Sequence, residues 1–431
     1  MKSKVYWILL LMGCVHFPVV NVTGSTLKLY DILSIPLAFK LKFDLKDKFL
    51  VIAKWLFIIV PLLSLAWSLI FLEYPHNYYL HFQYAEPEVY TSLSSHFLIY
   101  PLFQLVMMLL CFVAIASIYL CDAIYKDLDK VLEGIVKVGT FISVISLFNV
   151  FVIDIFDYVP QFVSMARASD RSHGFFNEAG AYSVYATWIA LFSWYVKTTR
   201  HSKFWKLAFL LNLLSMVLTL STNLVILLGV IFLAPFILRS SARTKTEAIV
   251  VITLLILAAF VIIDYFELTD FFSYIVFEKI SNFMSAPDHT LDSGGMRSFT
   301  TRIGIQMGLD HPFLGVGLGN SIFHMYEYED QMGIVTWGEM LSKNSAPQNA
   351  FALCFSDMGI VGIMTLLCFI MFVMKSLWTI RNNGKLEKAF FIGSLFSCGA
   401  LMSVYPLYSL YLWGYMAMAM GYIRYQKSMC R

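Results

Sequence analysis

Apolar runs recur along the whole chain, most of them close to the roughly 20 helical residues that cross a bilayer. Nothing else in the sequence limits the fold so strongly. The runs are Val5–Val22, Leu29–Phe39, Phe49–Phe71, His96–Leu120, Ile135–Ile155 and Gly180–Val196, then Leu207–Leu220, Leu224–Leu238, Ala248–Ile263, Ala350–Met374, Ala389–Val404 and Leu407–Ile423. They predict an all-α polytopic membrane protein of about 12 transmembrane helices, since lipid offers the backbone no partner outside a helix or a closed barrel. Leu29–Phe39 is the shortest run and contains Pro36. Leu11-Met12-Gly13-Cys14 has the look of a lipoprotein cleavage site, but the basic start and apolar body read as a first membrane helix, Val5 to Val22. Composition agrees: 59% of residues are hydrophobic and 14% charged, against about 45–50% and about 25% in soluble domains.

The positive charges set the expected orientation, because cytoplasmic loops retain Lys and Arg. With the N-terminus inside, only Lys28, Arg167, Arg171, Lys279, Arg297, Arg302 and Lys343 of the 31 basic residues fall in outer segments. Both termini are therefore expected in the cytoplasm. Three outer segments have substance: the Tyr-rich Glu73–Ser95, Asp157–Glu178, and a long loop at 264–349. The loop carries Phe, Ile, Met and Trp, which predicts that it folds. Three regions follow: membrane helices over 1–263, a large outer loop over 264–349, and membrane helices over 350–431.

Several function classes lose support. The seven cysteines lie in or beside apolar runs or at the C-terminus, so neither a disulfide framework nor zinc-site spacing is present. The apolar runs are nearly free of charge, whereas ion-coupled carriers place ionisable groups inside the bundle. There is no Gly-x-Ser-x-Gly and no His-Glu-x-x-His. Gly315-Val316-Gly317-Leu318-Gly319 has the glycine density of a dinucleotide loop but follows a helical run, Phe299–Leu309, and not a strand. Its structural reading is a tight turn where backbone passes close to another element; a role for its amides in holding an anion is the weaker reading.

The outer arginines run against the inside bias. Arg167 and Arg171 are four apart and share a helix face, while Arg297 and Arg302 are five apart and would need a bend near Ser298–Thr301 to converge. A guanidinium is always charged and forks onto phosphate oxygens. The alternative is pairing with Asp170, Asp288, Asp292 or lipid headgroups. Candidate bases are the outer histidines, His324 among them, and Glu178 at the mouth of a span. A carboxylate half out of water has its pKa raised towards that of a general base, although Glu178 also suits a helix N-terminus.

Taken in order, these motifs resemble the O-antigen polymerase and ligase family of bacterial inner membranes. In that family an arginine opens a helix leading into Pro-x-x-Gly-x-Gly-x-Gly-Asn, here Arg302 and Pro312 to Asn320. A His-Asn pair and Glu-x-Gly-x-x-Gly follow; here they read Gln348-Asn349 and Asp357-Met358-Gly359-Ile360-Val361-Gly362. Gly174 to Gly180 is similar to an earlier family segment, with Ala179 where proline is common. Gln348 in place of histidine, and Ser221-Thr222 in place of Ser-Arg, tilt the resemblance towards polymerase. It implies a C-type glycosyltransferase-like bundle acting in lipopolysaccharide biosynthesis, with no cofactor and no metal. Donor and acceptor would be oligosaccharides on undecaprenyl pyrophosphate. Arg167, Arg171, Arg297 and Arg302, with Gln348 and Asn349, would bind substrate, and Glu178 or His324 would take the acceptor proton. Expected partners are membrane lipids and a chain-length regulator, not nucleic acid.

Overall fold

The computed structural model describes residues 2–15, 18–22, 25–41, 47–71, 75, 96–156, 172–176, 179–219, scattered positions over 221–230, then 293–332, 346–403 and 407–430. The spans expected at 248–263 and over most of 224–238, the Tyr-rich loop, and Arg167, Arg171 and Glu178 lie outside these residues.

The described part is helical. In chain order come α1 (Lys2–Leu11), a hairpin of β1 (Pro18–Val22) and β2 (Ser25–Lys28), α2 (Leu29–Ala38), α3 (Lys48–Phe71) and α4 (Ile99–Leu120). Then follow the short α5 (Asp122–Lys126), α6 (Leu128–Phe156), α7 (Ala179–Thr199) and α8 (Lys203–Val217). The C-terminal part holds α9 (Ser293–Asp310), α10 (Ser321–Gln331), α11 (Ala350–Ile380), α12 (Lys385–Ala400) and α13 (Leu410–Met429). Among the described residues four helices are long and apolar enough to cross a membrane: Lys48–Phe71, Ile99–Leu120, Leu128–Phe148 and Ala350–Ile380.

The expected first span, Val5 to Val22, is corrected. The helix stops at Leu11, and Pro18–Val22 pairs antiparallel with Ser25–Lys28. Pro18 cannot continue a helix, and the valines beside it favour extended backbone. Within α3, Trp55–Ile59 widens into a π-helical turn. Pro61 lacks a backbone N–H and its ring crowds the carbonyl of Phe57, and the wider turn makes room for it.

Ion pairs gather one end of the bundle. Lys2 pairs with Asp127, Arg424 with Asp122, and Arg200 Nε lies 2.8 Å from Glu133. Tyr195 donates to Asp129 at 2.9 Å, and Tyr422 to Glu387 at 2.8 Å. These contacts join the starts of α1, α5, α6 and α12 and the ends of α7 and α13. Between the two ends the core is aromatic, with Tyr185, Trp188, Phe192 and Tyr415 buried among one another and Trp413 buried against Phe57 and Phe369. Gly393 lets α12 close on Trp188, where a Cβ would lie 2.5 Å from the indole. Close approach of this kind, more than release of water, holds helices together in lipid.

At the other end α11 is broken. Gly359 sits at φ 62°, ψ −158°, so its neighbours lose their helical hydrogen bonds. The glycine-rich turn 312–320 replaces them. Ile360 N–H donates to Pro312 O at 2.7 Å and Val361 N–H to Phe313 O at 3.4 Å. In return Val316 N–H donates to Ser356 O at 2.8 Å and Gly317 N–H to Asp357 O at 3.1 Å. Ser64 of α3 adds a hydrogen bond to Asp357 O, and Asn320 Nδ2 donates to Ser68 Oγ at 3.2 Å. Such backbone contact excludes side chains: a Cβ on Gly315, which has φ +68°, would lie 2.3 Å from Ser356 O.

Gly315→Ala combines a left-handed backbone, worth about 1–2 kcal/mol for a residue with a Cβ, with that overlap. It is expected to lower the melting temperature in detergent by several degrees. Gly229→Ala, with nothing within 4 Å of its Cβ, is the control; equal melting of the two proteins would count against the docking.

Candidate active site

Contacts close into a ring at the mouth opposite the ion-paired end. Asn223 is 1% exposed, and its Nδ2 donates to Gly180 O at 2.9 Å and Ser183 Oγ at 3.0 Å, both on the first turn of α7. Ser403, just past α12, donates to Asn223 Oδ1. Leu401 O, two residues earlier, accepts from Ala350 N–H at 2.8 Å. Asn349 caps α11, its Oδ1 accepting from Phe351 N–H at 2.9 Å and Ala352 N–H at 3.3 Å. Gln348 N–H donates to Thr300 Oγ1 at 3.2 Å. Thr300 lies one turn from Arg297, and the Arg297 guanidinium reaches back to Gly180: Nη2 is 3.6 Å from where a Cβ on that glycine would stand.

Arg297 is therefore half-buried against the N-terminus of α7, beside a fixed carboxamide. Arg302 is exposed. The two arginines share one unbroken helix, α9, about 140° apart around its axis, so the bend that would draw them together is absent. Gln348 does meet the Arg297 turn, through its N–H on Thr300, and Asn349 is the next residue in the chain. Asn349 serves there as a helix cap, which satisfies two N–H groups that a helix start leaves open.

The turn before α7 is held by hydroxyls. Ser172 shares hydrogen bonds with Ser146 at 2.6 Å and Ser215 at 3.0 Å, and Gly174 N–H donates to Ser146 Oγ at 2.9 Å. Tyr182 bonds Ser215 at 2.8 Å. Gly174, at φ +54°, leaves room for the Tyr182 ring. His173 is buried beside it, and burial lowers its pKa, which favours the neutral imidazole. This web fixes residues 172–174, which precede α7 in the chain.

His324 stands in a different group. Its Nδ1 lies 3.1 Å from Glu327 Oε2, on the same face of α10. Asp357 caps α10, accepting from Gly319 N–H at 3.0 Å and Ser321 N–H at 3.2 Å. Burial and the nearby His324 lower the pKa of His311. The amides of Gly315, Val316, Gly317, Gly319, Asn320 and Ser321 all donate within the protein. The turn is thus a backbone clamp, and those amides are not offered to an anion. Among the described residues no group of three or more His, Cys, Asp or Glu side chains is placed to hold a metal ion.

Sequence reasoning passed over Asn223, Thr300 and Ser403. Asn223 had a signal: it is a lone carboxamide between two apolar runs, beside Ser221-Thr222. Ser403 and Thr300 have none, since hydroxyls in apolar helices mostly bond their own backbone.

Asn223→Ala removes the three hydrogen bonds that tie Ser403 to the first turn of α7, while Ser183 still donates to Gly180 O at 2.6 Å and Ser403 to Ala400 O at 3.3 Å. A loss of about 1–3 kcal/mol is expected for the buried bonds removed, read as a lower denaturation midpoint in detergent. Unchanged stability would show that the ring is not held by this side chain.

Residues 207–367 match a family model described as O-antigen ligase. The matched stretch includes Asn223, Arg297, Arg302, the glycine turn, Gln348-Asn349 and the break at Gly359. The resemblance drawn from the motifs is borne out over that stretch. No curated protein matches the chain.

Proposed function

We propose, on the premise that residues 207–367 carry the O-antigen ligase family's domain, that the protein is an O-antigen or related surface-polysaccharide polymerase. That family spans ligases and polymerases, glycosyltransferase-like enzymes embedded in a membrane. In this reading the chain crosses the bacterial inner membrane about 12 times with both termini in the cytoplasm. The ring around Arg297 faces the periplasm, and the outer segment 264–349 itself supplies Arg297, Thr300, Gln348 and Asn349 to it. Donor and acceptor are repeat units on undecaprenyl pyrophosphate. A chain-length regulator would act beside it.

A hydroxyl of the acceptor sugar attacks the anomeric carbon of the donor. The new glycosidic bond forms as the bond from that carbon to the pyrophosphate oxygen breaks, and the lipid pyrophosphate departs with the bonding electrons. Charge grows on the leaving oxygens, so a guanidinium held in place beforehand helps most at the transition state. We assign that role to Arg297. Arg302, exposed further along α9, would meet the arriving diphosphate, and Arg167 and Arg171, which precede the turn before α7 in the sequence, would share that role. The hydroxyl proton goes to a base, for which Glu178, two residues before Gly180, stands nearer the ring in the chain than His324, which bonds Glu327. Gln348 and Asn349 would contact the glycan from the start of α11.

The observation that carries this reading is the half-buried Arg297 against Gly180 and Asn223. A second reading, ligase, is favoured by the family's own description; Gln348 in place of histidine argues against it. The two separate in a null strain. Loss of a polymerase leaves single-unit glycan on the lipid core, whereas loss of a ligase removes all of it.

Arg297→Ala is expected to cut chain extension by about 100-fold or more, on the scale of losing a preorganised electrostatic group, with normal protein in the membrane. Arg297→Lys keeps the charge but loses the fork and is expected to remain strongly impaired. Arg302→Ala is expected to shorten the glycan ladder less severely. A wild-type ladder from Arg297→Ala would remove the proposed role.

A further inference from the structure

The ion-paired end carries a second feature, unrelated to the ring. A groove of about 460 Å³ opens between the end of α7, the start of α8 and the start of α12. Lys197, His201, Lys206 and Lys385 line it with Phe209 and Leu210, and none of its lining residues is acidic. Carboxylates of the same end are engaged elsewhere: Glu133 by Arg200, Glu387 by Tyr422 and Asp129 by Tyr195. Lys197 Nζ sits 3.9 Å from the Phe209 ring centre, which holds the ammonium at the groove wall.

Above the groove, α8 presents an apolar stripe. Phe204, Leu207, Leu210, Leu214 and Val217 recur at helical spacing and are between 40% and 59% exposed. Leu210 belongs to both stripe and groove. A cationic cleft continuous with an exposed apolar stripe matches a molecule with an anionic head and hydrocarbon tails; a small anion would use only the cleft.

We infer that this groove binds the headgroup of an anionic phospholipid, with its acyl chains along the outer stripe of α8. Lys197, Lys206 and Lys385, from three different helices, surround the phosphodiester, and the bound lipid ties α7, α8 and α12 together. Lysines near a membrane surface attract anionic lipid, and this cleft adds a shape that scattered surface lysines lack.

The test uses the full-length protein purified in a neutral detergent, with melting followed on titration of phosphatidylglycerol, cardiolipin, phosphatidylcholine or inorganic phosphate. The anionic lipids are expected to raise the melting temperature and phosphatidylcholine is not. The triple variant K197Q/K206Q/K385Q is expected to need at least tenfold more lipid for the same rise. A control triple, K375Q/K388Q/K427Q, removes equal charge outside the groove and is expected to respond like wild type. If the groove triple proves unstable, K206Q and K385Q singly, at two exposed positions, are each expected to weaken the response. An unaltered response in the groove variants, or equal losses in both triples, would overturn the site. Equal stabilisation by inorganic phosphate would make it a small-anion site and overturn the lipid assignment.

Discussion

A long membrane helix that breaks must find other partners for the peptide groups it frees, because lipid supplies none. Here α11 breaks at Gly359, and the turn 312–320 supplies them, carbonyl for carbonyl and amide for amide. That exchange gives both glycine motifs one physical meaning. Gly359 makes the break, and Gly315 and Gly317 let another backbone come close enough to close it. Asp357, beside the break, turns its carboxylate to the amides of Gly319 and Ser321 and so starts α10. One contact thereby fixes the break, the turn and the helix that follows.

The same contact positions the candidate site. α9 runs directly into the clamped turn, so its C-terminal end is anchored on α11. Thr300 anchors it again, through Gln348 at the start of α11. Between these restraints and the α7 mouth lies Arg297, set against Gly180 and the carboxamide of Asn223. A long side chain loses rotamer freedom when it is held like this, and that cost is met by folding before any ligand arrives. The opposite end of the bundle is built differently, from surface ion pairs and tyrosine hydrogen bonds whose individual worth is small but which gather six helix ends on one side.

Much of this was legible in the chain. Period and length located α2 to α4, α6 to α8 and α11 to α13 to within several residues, since a run of apolar residues in lipid has few alternatives to a helix; the short α5 carried no such run. The glycine turn was legible as a place of close backbone approach, though not what approached it, because its partner lies some 40 residues away in sequence. The hairpin at Pro18–Lys28 was missed because hydropathy averages over Pro18 and the valines beside it. The ring was half legible. Arg297 announced itself by lying on the unexpected side of the charge bias, while Asn223 and Ser403 are ordinary polar residues whose role exists only once four elements meet.

The most direct test is made with purified protein in nanodiscs, supplied with lipid-linked repeat units and no nucleotide sugar. The account predicts that undecaprenyl pyrophosphate is released in step with glycan lengthening, one molecule for each glycosidic bond formed. Intact lipid-linked units with no pyrophosphate released, under conditions where the protein remains folded, would contradict it.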